Sequence, residues 1–134
     1  MRTATYAILL LLVISACSSK EASRIATVKN YYSGFNNGDY KLIETQLSDS
    51  LTITEGDYVM NFTPETFETH FKWDSVFVPQ VKIINIEQQE NDLLVTISAS
   101  SKRFEFLRNN PLVTKHLVHF TNGKISRIDN PVDC

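Results

Sequence analysis

Apolar residues recur three and four apart at Ile25, Val28, Tyr32 and Phe35. That spacing lines one face of a helix, predicted from about Ala22 to Asn36, with Tyr31 bordering the stripe. Asn36-Asn37-Gly38 ends it, because Asn and Gly tolerate the left-handed backbone of a helix C-terminus. Asp39 is placed to cap a second helix over Tyr40–Leu47, with Leu42, Ile43 and Leu47 turned inward. Leu51-Thr-Ile-Thr54 then alternates as a half-buried strand does. Glu55-Gly56-Asp57 reads as a turn, and Tyr58 to Phe62 as the returning partner strand.

Thr63-Pro64-Glu65 starts a third helix: a capping hydroxyl, proline at the first helical position, and an acid near the positive dipole end. This helix carries Phe67 and Phe71 four apart and ends near Asp74. Four further strands are expected at Val81–Gln89, Leu93–Ser101, Leu112–Thr121 and Ile125–Asp129. Glu90-Asn91-Asp92 and the hairpin dipeptide Asn122-Gly123 supply two of the turns between them. From Ser100 to Pro111 the pattern is open, since Phe104, Phe106 and Leu107 suit either a strand extension or a packed loop. Three helices followed by antiparallel strands give an α+β domain, a curved sheet wrapped around the long N-terminal helix. Such a sheet leaves a cone, and the mouth of a cone is a natural ligand pocket.

The first 16 residues differ in kind. Arg2 precedes an apolar run from Ala7 to Ile14, with small residues before Cys17. The run is short for a bilayer span and reads as a secretory leader over residues 1–16. Ile14-Ser15-Ala16-Cys17 resembles a bacterial lipobox, which implies cleavage before Cys17, a diacylated thiol, and a further acyl chain such as palmitate on the new amino group. Two or three acyl chains hold a protein stably on a bilayer. Residues 17–23 would then be a lipidated tether, and residues 24–134 the folded domain. Ser18, where many inner-membrane lipoproteins carry aspartate, favours the outer membrane. Ser18-Ser19-Lys20-Glu21 also loosely resembles a surface-export tag of Bacteroidetes lipoproteins.

The formal net charge of −2 becomes one unit more negative once Arg2 leaves with the leader. A mildly acidic surface argues against nucleic acid as a partner and against electrostatic binding to anionic lipid. Cys134 has no partner for an internal disulfide in the mature chain, and its bland reading is a frayed terminal residue.

Several motifs together resemble the nuclear transport factor 2-like superfamily, which includes ketosteroid isomerases and polyketide cyclases and is cystatin-like in outline. They are Tyr31 with Phe35-Asn36-Asn37-Gly38-Asp39, then Leu47-Ser-Asp-Ser-Leu-Thr-Ile, Thr63-Pro-Glu-Thr-Phe, Val118-His-Phe and Gly123-Lys-Ile125. The isomerase resemblance implies a donor tyrosine at Tyr31, eight residues before Asp39, and a base at Glu55, sixteen after it. It implies a second donor at Val118, and valine has no proton to donate. Loss of one such donor costs about a hundred- to a thousandfold in rate, so steroid isomerase activity is not expected.

The candidate ligand-binding residues are therefore Tyr31, Glu55, His116, Val118 and Trp73, with Glu55 and His116 as the candidate catalytic groups. Each also has a structural reading: Tyr31 as a core tyrosine, Glu55 as a solvated turn, His116 as a hydrogen-bonded core histidine, and Trp73 as a helix anchor. On strand parity His116 shares a face with Thr114, Val118 and Phe120, and His119 points the other way. His70, His116 and His119 lack metal-ligand spacing, and no phosphate loop or nucleophile elbow is present. No metal or cofactor is expected. The leading expectation is a membrane-anchored domain holding a small apolar ligand. The competitors are an envelope interaction module dimerising through its sheet, and an isomerase- or dehydratase-like enzyme using Glu55 or His116.

Overall fold

The computed structural model describes the backbone of residues 2–75, 80–100 and 111–130, and the side chains of residues 19–72, 80–100 and 111–130. Three helices, α1 (Arg2–Asn37), α2 (Tyr40–Gln46) and α3 (Pro64–Ser75), accompany six strands. These are β1 (Leu47–Glu55), β2 (Tyr58–Phe62), β3 (Gln80–Gln89), β4 (Asp92–Ser100), β5 (Leu112–Thr121) and β6 (Lys124–Asn130). They form one curved, unclosed sheet in the order β2-β1-β6-β5-β4-β3. Cys134, Phe104, Phe106 and Leu107 lie outside the described residues, as do the side chains of Cys17 and Trp73.

Three expectations need correction. The first helix begins at Arg2, not near Ala22, so the residues expected as a tether, 17–23, are helical. Nothing between Arg2 and Ser33 breaks a helix, and the stretch is rich in Ala and Leu. The sheet is also not wholly antiparallel, because β1 and β6 pair in parallel, Ile53 beside Ile128 and Glu55 beside Asn130. Strand β1 starts at Leu47, where α2 had been expected to continue.

The α1–α2 corner is fixed by backbone geometry. Gly38 takes φ +64°, its N–H donates to the Phe35 carbonyl at 3.3 Å, and the Asp39 N–H donates to the Gly34 carbonyl at 2.9 Å. This pair of bonds is a Schellman ending. Asp39 then caps α2, accepting from the Leu42 N–H at 3.2 Å. Gly34 is where the two helices touch, since a Cβ there would sit 2.5 Å from Cγ1 of Ile43 and 3.0 Å from the Asp39 carbonyl oxygen. Asn36 completes the corner as a one-residue strand. Its amide donates to the Val81 carbonyl at 2.7 Å and accepts from the Val81 N–H at 2.8 Å. That pairing ties the end of α1 to edge strand β3.

Helix α3 starts on a reciprocal cap. The Thr66 N–H donates to Thr63 Oγ1 at 3.3 Å, and the Thr63 N–H donates to Thr66 Oγ1 at 2.8 Å, with threonine in the place glutamate usually takes. Register breaks between Ile83 and Asn85, between His119 and Phe120, and along β1 between Leu47 and Thr52. Bulges of this kind bend a strand and raise its twist, which curves the sheet. Ile84, the residue skipped in β3, is half exposed as a result.

Cross-strand register assigns the two faces. Ile53, Ile128, Val118 and Leu93 run in one row across the concave face. Val95 with Ile86, Ile97 with Ile83, and Ala99 with Val81 extend that face to the far edge. Against it lie Val28, Tyr31 and Tyr32 of α1, Ile43 of α2, and Phe67 and Phe71 of α3, all buried. Each fully buried side chain of this size stabilises by about 1.5–3 kcal/mol.

Candidate functional site

The concave face is almost wholly apolar, and its few polar side chains stand out. His116 of β5 lies opposite Val95. Its Nδ1 is 2.7 Å from the hydroxyl of Tyr32, and the two rings stack with centroids 6.1 Å apart and an interplanar angle of 21°. Tyr32 is buried, and burial pushes its hydroxyl well above the usual phenol range. Burial also pushes His116 down to about 4. Both trends follow from the cost of charge in an apolar setting, so at neutral pH the pair carries none.

A neutral imidazole has two tautomers, and its hydrogen-bond partners weigh between them. Among the described residues the Tyr32 hydroxyl has no other partner, so its proton goes to Nδ1. A neutral imidazole that accepts at Nδ1 carries its hydrogen on Nε2. No described residue accepts from Nε2, and every buried side-chain nitrogen or oxygen among the described residues has a partner. Nε2 itself makes no hydrogen bond with a described residue. As a base His116 is weak near pH 7, and its one lone pair is already engaged. It is a donor.

Two neutral polar groups flank it. Thr114, two residues back on the same face, donates to Oδ1 of Asn130 at 3.3 Å. Asn130 in turn lies beside Glu55. Glu55 shares the strand parity of Ile53 but occupies the last position of β1, exposed at the β1–β2 hairpin. Strand β6 lies between Glu55 and β5, so two strand spacings, roughly 9–10 Å, separate it from the His116 row. The structure does not bring Glu55 and His116 together.

The remaining candidates fall elsewhere. Val118 is buried at the centre of the sheet between Leu93 and Ile128. Tyr31 is buried beside the pair and meets Tyr32 edge-on at 5.1 Å and Phe35 at 5.0 Å. Phe35, Phe71 and Tyr40 continue this cluster, with Phe35–Phe71 and Tyr40–Phe71 centroids 5.3 and 5.6 Å apart. Phe67 joins it to Phe62 of β2, and the Tyr40 hydroxyl donates to the Pro64 carbonyl. The aromatic cluster packs where α1, α2, α3 and β2 meet. Tyr32, Thr114 and Asn130 are the site residues that sequence reasoning missed. The one signal for Tyr32 was its place within the helical stripe, where Tyr31 only borders it.

His119 points to the opposite face, where both its nitrogens are occupied. Nδ1 lies 2.9 Å from Asp92 and Nε2 2.8 Å from Asp129. Asp129 also accepts from Thr54 at 2.7 Å and from Arg127 at 2.8 Å. Burial pushes the Asp129 carboxyl up, but the hydrogen bonds from Thr54, Arg127 and His119 and the Arg127 charge outweigh it and hold it below the usual carboxylate range. This network links β1, β6, β5 and β4. The two carboxylates sit at opposite ends of one ring and cannot share a metal ion with it. Among the described residues no three His, Cys, Asp or Glu side chains converge as a metal site.

No family model matches the chain, and no curated protein does. Solved structures do. A Sinorhizobium meliloti protein provisionally described as a polyketide cyclase superposes with a TM-score of 0.66 at 9% identity, over 78% of this chain and 93% of that one. A nuclear transport factor 2-like protein of unknown function from Cytophaga hutchinsonii gives 0.61 at 12%, over 82% and 89%. An epoxide hydrolase of Mycobacterium tuberculosis, described as LEH-like, gives 0.62 at 17%, over 84% of each chain. At these identities the likeness is one of fold: the chain has a nuclear transport factor 2-like fold, which such proteins share across different activities.

Proposed function

We propose that this protein is a lipid-anchored envelope protein that binds a small, largely apolar molecule in its cone and does not transform it. The observation that carries this reading is the Tyr32–His116 pair. It is an uncharged hydrogen-bonding pair set in an apolar and aromatic wall, and the second ring nitrogen of His116 has no partner among the described residues. Binding pockets combine an apolar lining with a few polar groups that fix orientation in this way. Catalysis by proton abstraction would need a base poised near neutral pH, and His116 with its acid-shifted imidazole is not one.

The anchor rests on the lipobox-like Ile14-Ser15-Ala16-Cys17 behind an apolar run, with the outer membrane as the proposed location. Native mass spectrometry of the purified full chain tests the binding reading. A co-purified small molecule should be present in the wild type and depleted in Tyr32→Phe and His116→Phe. A clean apo protein that also takes up no added apolar ligand refutes it. For the anchor, Cys17→Ser should abolish fatty-acid labelling, and persistent labelling refutes that part alone.

A further inference from the structure

The chain holds two Asn-Gly pairs, Asn37-Gly38 at the end of α1 and Asn122-Gly123 at the β5–β6 turn. Glycine has no Cβ to shield its peptide nitrogen. In such a pair that nitrogen can attack the side-chain amide carbon of the asparagine and close a five-membered imide. Ring closure needs the Asn–Gly peptide plane rotated to an asparagine ψ of about −120°, the value at the first central position of a type II′ turn. Both asparagines are exposed, so access does not separate them, and the ease of that rotation does.

The helix end resists it. The Gly38 N–H donates to the Phe35 carbonyl at 3.3 Å, and the Asp39 N–H beside it to the Gly34 carbonyl at 2.9 Å. Asn37 itself is held, its Nδ2 donating to Oγ of Ser33 at 3.3 Å. Rotating the Asn37–Gly38 plane takes the Gly38 N–H off its acceptor and disturbs the bond next to it. The hairpin permits the rotation. Thr121 pairs with Lys124 across a two-residue loop, with φ +51° at Asn122 and +77° at Gly123. Positive φ at both central residues makes a type I′ turn. Its turn bond joins Thr121 to Lys124, and the Gly123 N–H takes no part in it. Flipping the central plane converts I′ to II′ with that bond kept: Asn122 retains its positive φ, and only Gly123 changes sign, which glycine allows. Nothing stands within 4 Å of where a Cβ of Gly123 would be.

We propose that Asn122 is a site of spontaneous deamidation and isomerisation in the folded protein, and that the Schellman ending of α1 protects Asn37 from the same reaction. The Gly123 nitrogen bonds to Cγ of Asn122, the Cγ–Nδ2 bond breaks, and Nδ2 leaves as ammonia with the proton that the Gly123 nitrogen gives up. Water then opens the imide. Cleavage between the nitrogen and Cγ yields aspartate, and cleavage between the nitrogen and the main-chain carbonyl carbon yields isoaspartate. In sum, one amide and one water become one carboxylate and one ammonium. Isoaspartate runs the main chain through Cγ and so lengthens it by one carbon. A hairpin takes its register from turn type and loop length, so that carbon loosens the Thr121–Lys124 pair, whereas aspartate adds only a charge.

The full chain is held for weeks in mildly alkaline buffer, folded in one sample and unfolded in urea in the other, and both are mapped by mass spectrometry after trypsin. Cleavage after Lys29, Lys41, Lys115 and Lys124 puts the two sites on separate peptides, and electron-transfer fragmentation tells isoaspartate from aspartate. In urea both sites should convert at similar rates. In the folded protein Asn122 should convert at least about tenfold faster than Asn37, from the hydrogen bonds that the helix end would have to give up. Hydrogen exchange at the Thr121 and Lys124 amides should quicken in the isoaspartate product and stay near the wild-type rate in Asn122→Asp, which has the acid without the added carbon. Folded protein in which Asn37 converts as fast as Asn122 overturns the proposal. So does an Asn122 that stays intact in the fold while the urea sample converts. Equal exchange in the isoaspartate product and in Asn122→Asp overturns the part that concerns register.

Discussion

His116 makes acid stability a direct test of the site. In the folded protein its imidazole is pushed down to about 4 by burial, against an unperturbed 6.5. Between those values the unfolded chain binds a proton that the folded chain does not, so stability must fall as pH drops through this window. The contribution is fully present above pH 6.5 and is lost as pH falls to about 4. At 1.36 kcal/mol per unit the loss approaches about 3 kcal/mol, an upper figure because one side of the ring reaches solvent. For a domain of this size that corresponds to a fall in melting temperature of roughly 10 °C. The measurement is thermal unfolding from pH 7.5 to 4.0 for the wild type and for His116→Gln, whose side-chain oxygen still accepts from Tyr32 but does not titrate. Other ionisable groups, including Asp129 with its acid-shifted carboxyl, are common to both proteins and cancel in the difference. The variant should be the less stable or equal at pH 7.5 and should overtake the wild type near pH 4. Curves that run parallel across the window would show that His116 is not desolvated in the fold, and the argument for a neutral donor would go with it.

Gly34→Ala should lower stability by about 1–3 kcal/mol in urea unfolding, because its Cβ would meet the fully buried Ile43 at 2.5 Å; an unchanged midpoint would mean that the α1–α2 contact is looser than described. Asn36→Asp should cost about 1–3 kcal/mol, since a carboxylate oxygen would replace the amide that donates to the Val81 carbonyl, and exchange of the Val81 amide hydrogen should quicken. Asp39→Ala should cost about 0.5–2 kcal/mol through loss of the α2 cap, read from the same unfolding curves.

The elements were legible in the sequence because their signals are local. Thr63-Pro64 marks a helix start whatever surrounds it, and Tyr58–Phe62 and Leu112–Thr121 have the bounds that their patterns set. The opposite directions of His116 and His119 follow from a side-chain period of two. What was not legible depends on how elements meet. Parallel pairing of β1 with β6 joins the first strand to the last, and no local pattern encodes it. Tyr31 and Tyr32 are adjacent on a helix and point about 100° apart, so which of them reaches β5 depends on the rotation of α1 on the sheet. For Glu55, strand pattern alone did not tell a site residue from a solvated turn, and the residue lies exposed at the end of β1.

One strand therefore carries two histidines with opposite electrostatic surroundings. Three residues apart on β5, they face an uncharged interior and a charged exterior, and the roles of the two faces should separate by mutation. Asp129→Asn removes the acceptor that His119 meets at 2.8 Å and leaves an amide nitrogen in its place, while one oxygen remains for Thr54 and Arg127. The network links four strands, so stability should fall by about 1–2 kcal/mol. Nothing in that change touches Tyr32, Thr114 or the Nε2–H of His116. The nitrogen spectrum of His116 should stay as it is in the wild type. A changed His116 spectrum together with the loss of stability would mean that the outer network positions the inner pair across β5, and the two faces would then have to be treated as one site.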